Sequence, residues 1–331
     1  MRVLVTGGAG YVGSHAVREL IAAKHDVIVY DNLSIGHREF VEGVPLIVGD
    51  IADYDHLLSA LYGVDAVMHF AASAYVGESI ANPRKYFHNN VESALRLIDA
   101  VLASDVRLFV FSSTCAVYGV PDHLPIEESF PKNPINPYGA TKLFFERVLA
   151  AYQHSHGLKH ACLRYFNAAG AHTSGEIGEY HEPEPHLIPL MMRAILGTAP
   201  PLVVFGNDLP TEDGTCIRDY VHVSDLGRAH VKALDYLANG GESIALNLGT
   251  GKGTSIGSLI NALKQLTGRE VPHEFGPPRL GDPPALYADA SLGRRILQWE
   301  PEFGLHSILQ TAWQWETVGL PRLLSSAARN L

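Results

Sequence analysis

Residues 3–15 read VLVTGGAGYVGSH. An aliphatic run, VLVT (3–6), meets Gly7, Gly10 and Gly13, and a helical pattern starts at about residue 12. Glycines at such a junction let the backbone approach a pyrophosphate, and the helix that follows offers free N–H groups and a partial positive charge. The same glycines would also suit a plain strand-to-helix turn. Asp31 weighs for the first reading: it closes the run VIVY (27–30), 18 residues after Gly13, where an acid that binds an adenosine ribose belongs. An acid there repels a 2′-phosphate, so the pattern favours NAD over NADP as cofactor.

Further short aliphatic runs follow: PLIVG (45–49), AVMHF (66–70), LFVFSS (108–113) and ACLRYF (161–166). They lack a polar alternation, so they read as strands buried on both faces. Helical patterns fall between them, at about 12–23, 53–61, 83–103 and 137–156. Strands and helices in alternation predict an α/β fold, a doubly wound parallel Rossmann sheet. After about residue 170 the texture changes to loops rich in Gly, Pro and acids, such as GAHTSGEIGEYHEPEPH (170–186). Later runs, IRDYVHV (217–223) and IALNLG (244–249), are expected to rejoin the first sheet. The expected organisation is a discontinuous nucleotide-binding domain, 1–170 with 219–250 and about 288–315. A smaller α/β substrate-binding lobe would take 171–218 with 251–287.

Composition excludes several classes. A net charge of −10 argues against nucleic acid, and no apolar run approaches the ~18 residues of a membrane span. The opening MRVLVT reads as a strand, not as a secretion signal. Three scattered cysteines fit neither a disulfide framework nor a zinc motif and suggest a reducing, cytoplasmic setting. No metal-ligand spacing stands out among the 17 histidines, so no metal is expected.

In an open parallel sheet, ligands lie beyond the carboxyl ends of the strands. Asp50, Phe70–Ala71–Ala72, Ser112–Thr114 and Tyr165–Asn167 all occupy such ends. The stretch NPINPYGATK (133–142) adds a helix start: Asn136 can cap it, Pro137 suits its first turn, and Tyr138 and Lys142 then share one face. A free tyrosine, with a pKa of ~10, is a poor base at neutral pH. A nearby ammonium and a cationic nicotinamide ring favour its phenolate and suit it to acid–base work. Thr114 is placed to hold the same substrate hydroxyl, or simply to cap its strand end. Base, lysine and hydroxyl beside a nicotinamide make an alcohol-oxidising site.

These residues resemble the short-chain dehydrogenase/reductase superfamily, in its extended, nucleotide-sugar-modifying branch. The likeness runs through DNLS (31–34), GDI (49–51), FAASAYVGES (70–79), NNV (89–91), FSSTCAVYG (111–119), LRYFNAAGAH (163–172), FGNDLPTEDGTCIRDYVHV (205–223), NLGTGKG (247–253) and RLGDPPALYADA (279–290). It implies reversible 4-epimerisation of a UDP-sugar, UDP-glucose and UDP-galactose first, through a transient 4-ketopyranose and tightly held NAD. The catalytic set it implies is Tyr138, Lys142 and Thr114. The implied cofactor set is Gly7, Gly10, Tyr11, Val12, Gly13, Asp31, Asn32, Asp50, Ile51, Phe70, Ala71, Ala72, Asn89, Ser112, Tyr138, Lys142 and Tyr165. For the UDP-sugar it implies Thr114, Phe166, Asn167, His186, Leu187, Val203, Phe205, Arg218, Arg279, Asp282 and Leu286. Two long helical patterns, about 83–103 and 137–156, with the apolar runs LRLIDAVLA (95–103) and LFFERVLAAY (143–152), match the two-helix face through which the family forms homodimers.

Departures bear on the sugar. Ala74 stands where many members carry a lysine, a departure expected to weaken one cofactor phosphate contact and leave the chemistry intact. Leu286 stands where some have a tyrosine, which leaves room for an N-acetyl group; UDP-GlcNAc/UDP-GalNAc and UDP-xylose/UDP-arabinose remain open. A 4,6-dehydratase is disfavoured, because related dehydratases carry Asp-Glu where this chain has Cys115 and Ala116. A UDP-glucuronate enzyme would need a cation for the carboxylate that the sequence does not reveal. A non-catalytic NAD-binding regulator would have no use for the intact Tyr138, Lys142 and Thr114.

Overall fold

The computed structural model describes residues 1–279 and 283–327. The first half alternates strand and helix: β1 (Arg2–Thr6), α1 (Tyr11–Ala22), β2 (Asp26–Asp31), β3 (Leu46–Val48), α2 (Tyr54–Ala60) and β4 (Ala66–His69). Next come α3 (Val76–Ala81), α4 (Pro83–Phe87), α5 (Ala94–Ala103), β5 (Leu108–Thr114), α6 (Pro137–His156) and β6 (Lys159–Tyr165). The later chain holds β7 (Asn167–Ala169), α7 (Leu187–Leu196), β8 (Leu202–Phe205), β9 (Ile217–Arg218), β10 (Tyr220–His222), α8 (Val223–Ala238) and β11 (Ile244–Leu248). It continues with β12 (Thr254–Ser255), α9 (Ile256–Thr267), β13 (His273–Gly276), β14 (Ala285–Leu286), α10 (Ser291–Leu297), α11 (Leu305–Gln314) and α12 (Leu320–Ala327).

Seven strands form one parallel sheet in the order β11-β6-β5-β4-β1-β2-β3. Its two faces explain why the runs show no polar alternation. Side chains alternate along a strand, and here both sides are covered. Val3, Val5, Val110 and Leu163 face Val17, Leu20, Leu226 and Leu234 of α1 and α8. Leu4, Ile28, Val67 and Phe109 face Leu57, Leu97, Ile98, Phe145 and Leu149 of α2, α5 and α6. Each such side chain contributes roughly 1.5–3 kcal/mol when fully buried, and the polar residues buried in these strands, such as Ser113 and Arg164, are paired. The strand order reverses between β1 and β4, and the crevice at their carboxyl ends is where such sheets bind ligands.

Two expectations change. IRDYVHV does not enter the central sheet; only the 244–248 strand does, as edge strand β11 beside β6. The 217–222 segment splits at Asp219. Its first part, β9, pairs with β12 and β14, and its second, β10, pairs with β7. Asp219 is the cause of the break. Its buried carboxylate accepts from Thr250 N (2.9 Å), Thr250 Oγ1 (2.6 Å), Gly251 N (3.2 Å) and Ala288 N (3.2 Å), which ties three segments to one point. The helix expected over 83–103 is interrupted by a wide π turn at His88–Ser93, and the separate α3 precedes it. The widened turn aims Asn90 at the 73–74 loop, where its amide accepts from Ser73 N (2.8 Å) and donates to Ser73 O (2.9 Å). Such turns commonly mark functional sites. A third apolar cluster, with Met191, Met192, Val204, Leu259 and Ile308, unites α7, β8, α9 and α11. No described helix is long and apolar enough to cross a membrane.

Candidate active site

The glycine turn sets one wall of a cleft of about 2370 Å³. Gly7 has φ +72°, and a Cβ there would lie 2.4 Å from Ala71 N; one on Gly13 would lie 2.2 Å from Gly7 O. Side chains at either place would push β1, α1 and the loop after β4 apart. Helix α1 starts at Gly10 with no side-chain cap, so its first N–H groups point into the cleft undiverted. Asp31, buried at the end of β2, accepts from Ala9 N (3.0 Å) and Leu33 N (2.8 Å). Its remaining lone pairs suit ribose hydroxyls. This donor and acceptor set fits a dinucleotide. The volume also decides something: single-ligand pockets run to ~1,000 Å³, so this cleft has room for a dinucleotide and a second nucleotide together.

The opposite wall is built by α6. The Asn136 side chain accepts from Gly139 N (2.8 Å) and Pro137 fills the first turn, as their positions predicted. Tyr138, Lys142 and Thr114 are 9, 3 and 7 % exposed. Lys142 Nζ donates to Ser112 O (2.7 Å) and lies 5.9 Å from the Tyr138 ring centroid. Ser112 Oγ in turn meets the Tyr165 hydroxyl at 2.6 Å. Thr114 Oγ1 accepts from Ala116 N (3.1 Å), so it does cap its strand end while sitting beside Tyr138.

Electrostatics here differ from the simple expectation. Burial raises the Tyr138 phenol, Tyr165 raises it further, and only the Thr114 hydroxyl opposes them. Burial also lowers Lys142, to about 7, against a pull upward from Glu146. The protein's own groups therefore do not make the phenolate; positive charge brought by a ligand has to tip the balance. A pH dependence follows. Unfolded, Lys142 keeps its proton to pH ~10; folded, it loses it near 7. Between those values the unfolded chain binds the extra proton, so the group's contribution to stability rises with pH. We expect urea midpoints of cofactor-stripped protein to gain more between about pH 7 and about pH 9 in the wild type than in Lys142→Met. Equal slopes would refute this.

The sequence-predicted residues converge. All of the implied cofactor and sugar residues line this one cleft except Asp50 and Asp282. Asp50 sits between the lining residues Gly49 and Ile51, and its carboxylate accepts from Asn32 Nδ2 (2.8 Å) and Ala52 N (2.9 Å). Asp282 lies outside the described residues. Arg218 donates to Ile217 O (2.8 Å), and the Arg279 guanidinium stacks 4.2 Å over the Phe205 ring. Leu286 stands beside Arg218 in register with β9.

The sequence reading missed two groups. Tyr86, buried under Tyr138, ties the backbone of Tyr75 through its hydroxyl (2.9 and 2.7 Å). Glu179 and His181 join His186 on the cleft wall, and the buried Glu184 lies behind them. His186 Nδ1 lies 2.8 Å from Glu179 and 3.0 Å from Glu184. Burial alone would depress this imidazole, but Glu179 and then Glu184 raise it to about 10. Its signal in the sequence is the spacing of acids and histidines in EYHEPEPH (179–186).

Comparison with known proteins agrees with this geometry. The sequence profile of the NAD dependent epimerase/dehydratase family matches residues 3–249. A UDP-glucose 4-epimerase of Rhizobium meliloti is 49% identical over 317 residues, covering 95% of this chain and 97% of that protein. The crystal structure of UDP-glucose 4-epimerase from Brucella ovis in complex with NAD superposes with a TM-score of 0.93, at 48% identity, over 96% of this chain and 98% of that one. The Stenotrophomonas maltophila UDP-glucose 4-epimerase, with bound NAD and formylated UDP-arabinopyranose, gives 0.94 at 41% identity over 99% of both chains. With three-quarters of its length under one profile and near half of its residues shared with such relatives, this chain belongs to the NAD dependent epimerase/dehydratase family.

Proposed function

We propose that the chain interconverts UDP-glucose and UDP-galactose by inversion at C4, with NAD held throughout the cycle. One observation carries the reading: Tyr138, Lys142 and Thr114 meet at the carboxyl end of β5, in the same cleft as the glycine turn of α1. Held by the glycine turn of α1 and Asp31 beside Tyr138, NAD would supply reversible hydride acceptance at the sugar's C4. Tyr138 Oη removes the proton from O4 and gives it back after the sugar has turned, so one base serves both directions. Thr114 holds that hydroxyl in line. Lys142, anchored on Ser112 O, presents its remaining donors to the ribose beside the phenol.

Arg218 and Arg279 grip the diphosphate, because planar guanidinium forks match phosphate oxygens. Phe205 and Val203 frame the uracil, Asn167 and the Leu187 backbone hold phosphate and sugar, and Phe166, His186 and Leu286 border the sugar. The 1–170, 219–250 and 288–315 segments carry NAD; 171–218 and 251–287 carry the UDP-sugar. A dehydratase reading lacks its acid and base, since the Cys115 thiol is pushed up to about 12 by burial and Ala116 carries no proton. We further propose a cytoplasmic homodimer. Exposed Phe87 and Phe144 line a groove with Val91 and Leu143, within the stretches of about 83–103 and 137–156 that the resemblance assigns to dimer contact.

The test is proton NMR of purified protein mixed separately with UDP-galactose, UDP-GalNAc and UDP-arabinose, without added NAD. Conversion of UDP-galactose to its C4 epimer without free NADH supports the reading, and the relative rates rank the sugars. No conversion of any of the three, even after NAD is added, would overturn it.

A further inference from the structure

Away from the catalytic pair, the segment behind one wall of the cleft gathers four potential metal ligands within eight residues. One ligand atom from each of Glu179, His181, Glu184 and His186 lies within 4.8 Å of all the others. His181 Nδ1 stands 3.5 Å from Glu184 Oε2 and 3.7 Å from Glu179 Oε1. These side chains are enclosed: those of Glu179, His181 and Glu184 are 7, 10 and 1 % exposed. Yet His181 Nδ1 and Glu184 Oε2, aimed at each other, make no hydrogen bond. A buried polar atom left in that state costs about 1–3 kcal/mol. The spacing points to a shared third body, because two ligands of tetrahedral zinc at 2.0–2.1 Å stand about 3.4 Å apart.

Charge argues the same way. Glu316 adjoins the cluster through Arg193, whose Nε lies 3.3 Å from it and whose Nη2 lies 3.7 Å from Glu184. Three largely buried carboxylates thus face one guanidinium. A cation among Glu179 and Glu184 would pair the buried carboxylates that the guanidinium does not fully cover, and buried charge is tolerated only when paired.

We propose that Glu179, His181, Glu184 and His186 form a binding site for a divalent transition-metal ion, with zinc the best match to two imidazole nitrogens and two carboxylate oxygens. Ligation by His186 Nδ1 releases the proton that otherwise bridges Glu179 and Glu184, and that proton passes to solvent. The ion then staples the 179–186 loop to the start of α7, which His186 precedes. His186 keeps its Nε2–H facing the cleft, where its side chain is 43 % exposed. Tyr75 packs edge-on against both imidazoles, at 5.5 and 5.7 Å between ring centroids, and holds their orientation. The site does not depend on the proposed activity.

The experiment measures metal content. The full-length holoenzyme is equilibrated with zinc, freed of loose metal on a chelating resin and analysed by plasma mass spectrometry. We expect about one zinc per chain, falling at least tenfold in His181→Ala and in Glu184→Gln. Cobalt(II) substitution of the wild type is expected to give the intense visible bands of a tetrahedral N/O site, a readout that does not require the variants to fold. Substoichiometric zinc in the wild type, zinc retained in both variants, or a cobalt spectrum with only weak octahedral bands would each overturn the proposal and leave the cluster held by protons alone.

Discussion

Replacing Tyr138 with Phe is expected to lower kcat for C4 epimerisation about 10³-fold, within the range that a positioned acid–base group supplies, and to leave NAD binding unchanged. The reason is local. Phe keeps the ring that packs beneath the cleft against Tyr86, 6.4 Å away between centroids, so α6 and the glycine turn stay in place. Only the hydroxyl that meets Thr114 and O4 is lost. Burial pushes the neighbouring Cys115 and Tyr165 both up to about 12, so neither is poised to replace it. Steady-state kinetics with UDP-galactose, read beside cofactor content by absorbance, decides the matter. A loss below about tenfold would remove Tyr138 from the role of base. A comparable fall in NAD content would mean that the hydroxyl acts through the cofactor site and not on the sugar.

The second large effect concerns stability. Glu146 lies one turn beyond Lys142 on α6, and its carboxylate is held by Arg164 of β6 in a two-pronged pair, Nε to Oε1 at 2.9 Å and Nη2 to Oε2 at 2.5 Å. Ser113 of β5 donates to the same carboxylate at 2.5 Å. Arg164 Nη1 reaches the Tyr118 hydroxyl at 2.9 Å, and that hydroxyl donates to Asn247 Oδ1 of β11 at 2.7 Å. The pair is 6 and 8 % exposed, so Arg164→Leu leaves a buried carboxylate without its partner. Such breaks cost about 3–5 kcal/mol, a large share of the roughly 5–15 kcal/mol that holds most domains folded. We expect a loss of that size in urea unfolding of the holoenzyme, with most of it recovered in Arg164→Leu/Glu146→Leu, where no charge is left unpaired. A loss below about 1 kcal/mol would show that water reaches the carboxylate and the network does not clamp α6. Since Ser113 precedes Thr114 and Glu146 follows Lys142 on the same helix, the clamp also registers β5 against α6, and with it the distance between hydroxyl, phenol and amine.

Much of the site was legible because the chemistry is written locally. VLVTGGAGYVGSH carries its strand, turn and helix start in consecutive residues, and Asn136–Pro137 fixes where α6 begins, so Tyr138 and Lys142 share a face whatever the rest of the chain does. The aliphatic runs gave a doubly covered sheet because burial on two faces removes alternation from any strand. Less legible were features whose cause lies far along the chain. The break of 217–222 into two strands depends on Asp219 being met by Thr250, Gly251 and Ala288. The π turn at 88–93 depends on Ser73 waiting for Asn90. The bond from Asn32 to the Asp50 carboxylate depends on two strand ends lying side by side.

By itself, then, the amino-acid order determined the nucleotide-binding turn, the parallel sheet and the catalytic helix face, since spacing over a few residues settles backbone conformation and side-chain direction. Only the tertiary structure decided how the loops after residue 170 fold back over the sheet and that burial outweighs the lysine at Tyr138. It alone also decided that Glu179, His181, Glu184 and His186 enclose a common point. Solvation and Coulomb energies depend on what surrounds a group in space, and residues distant in sequence supply most of those surroundings.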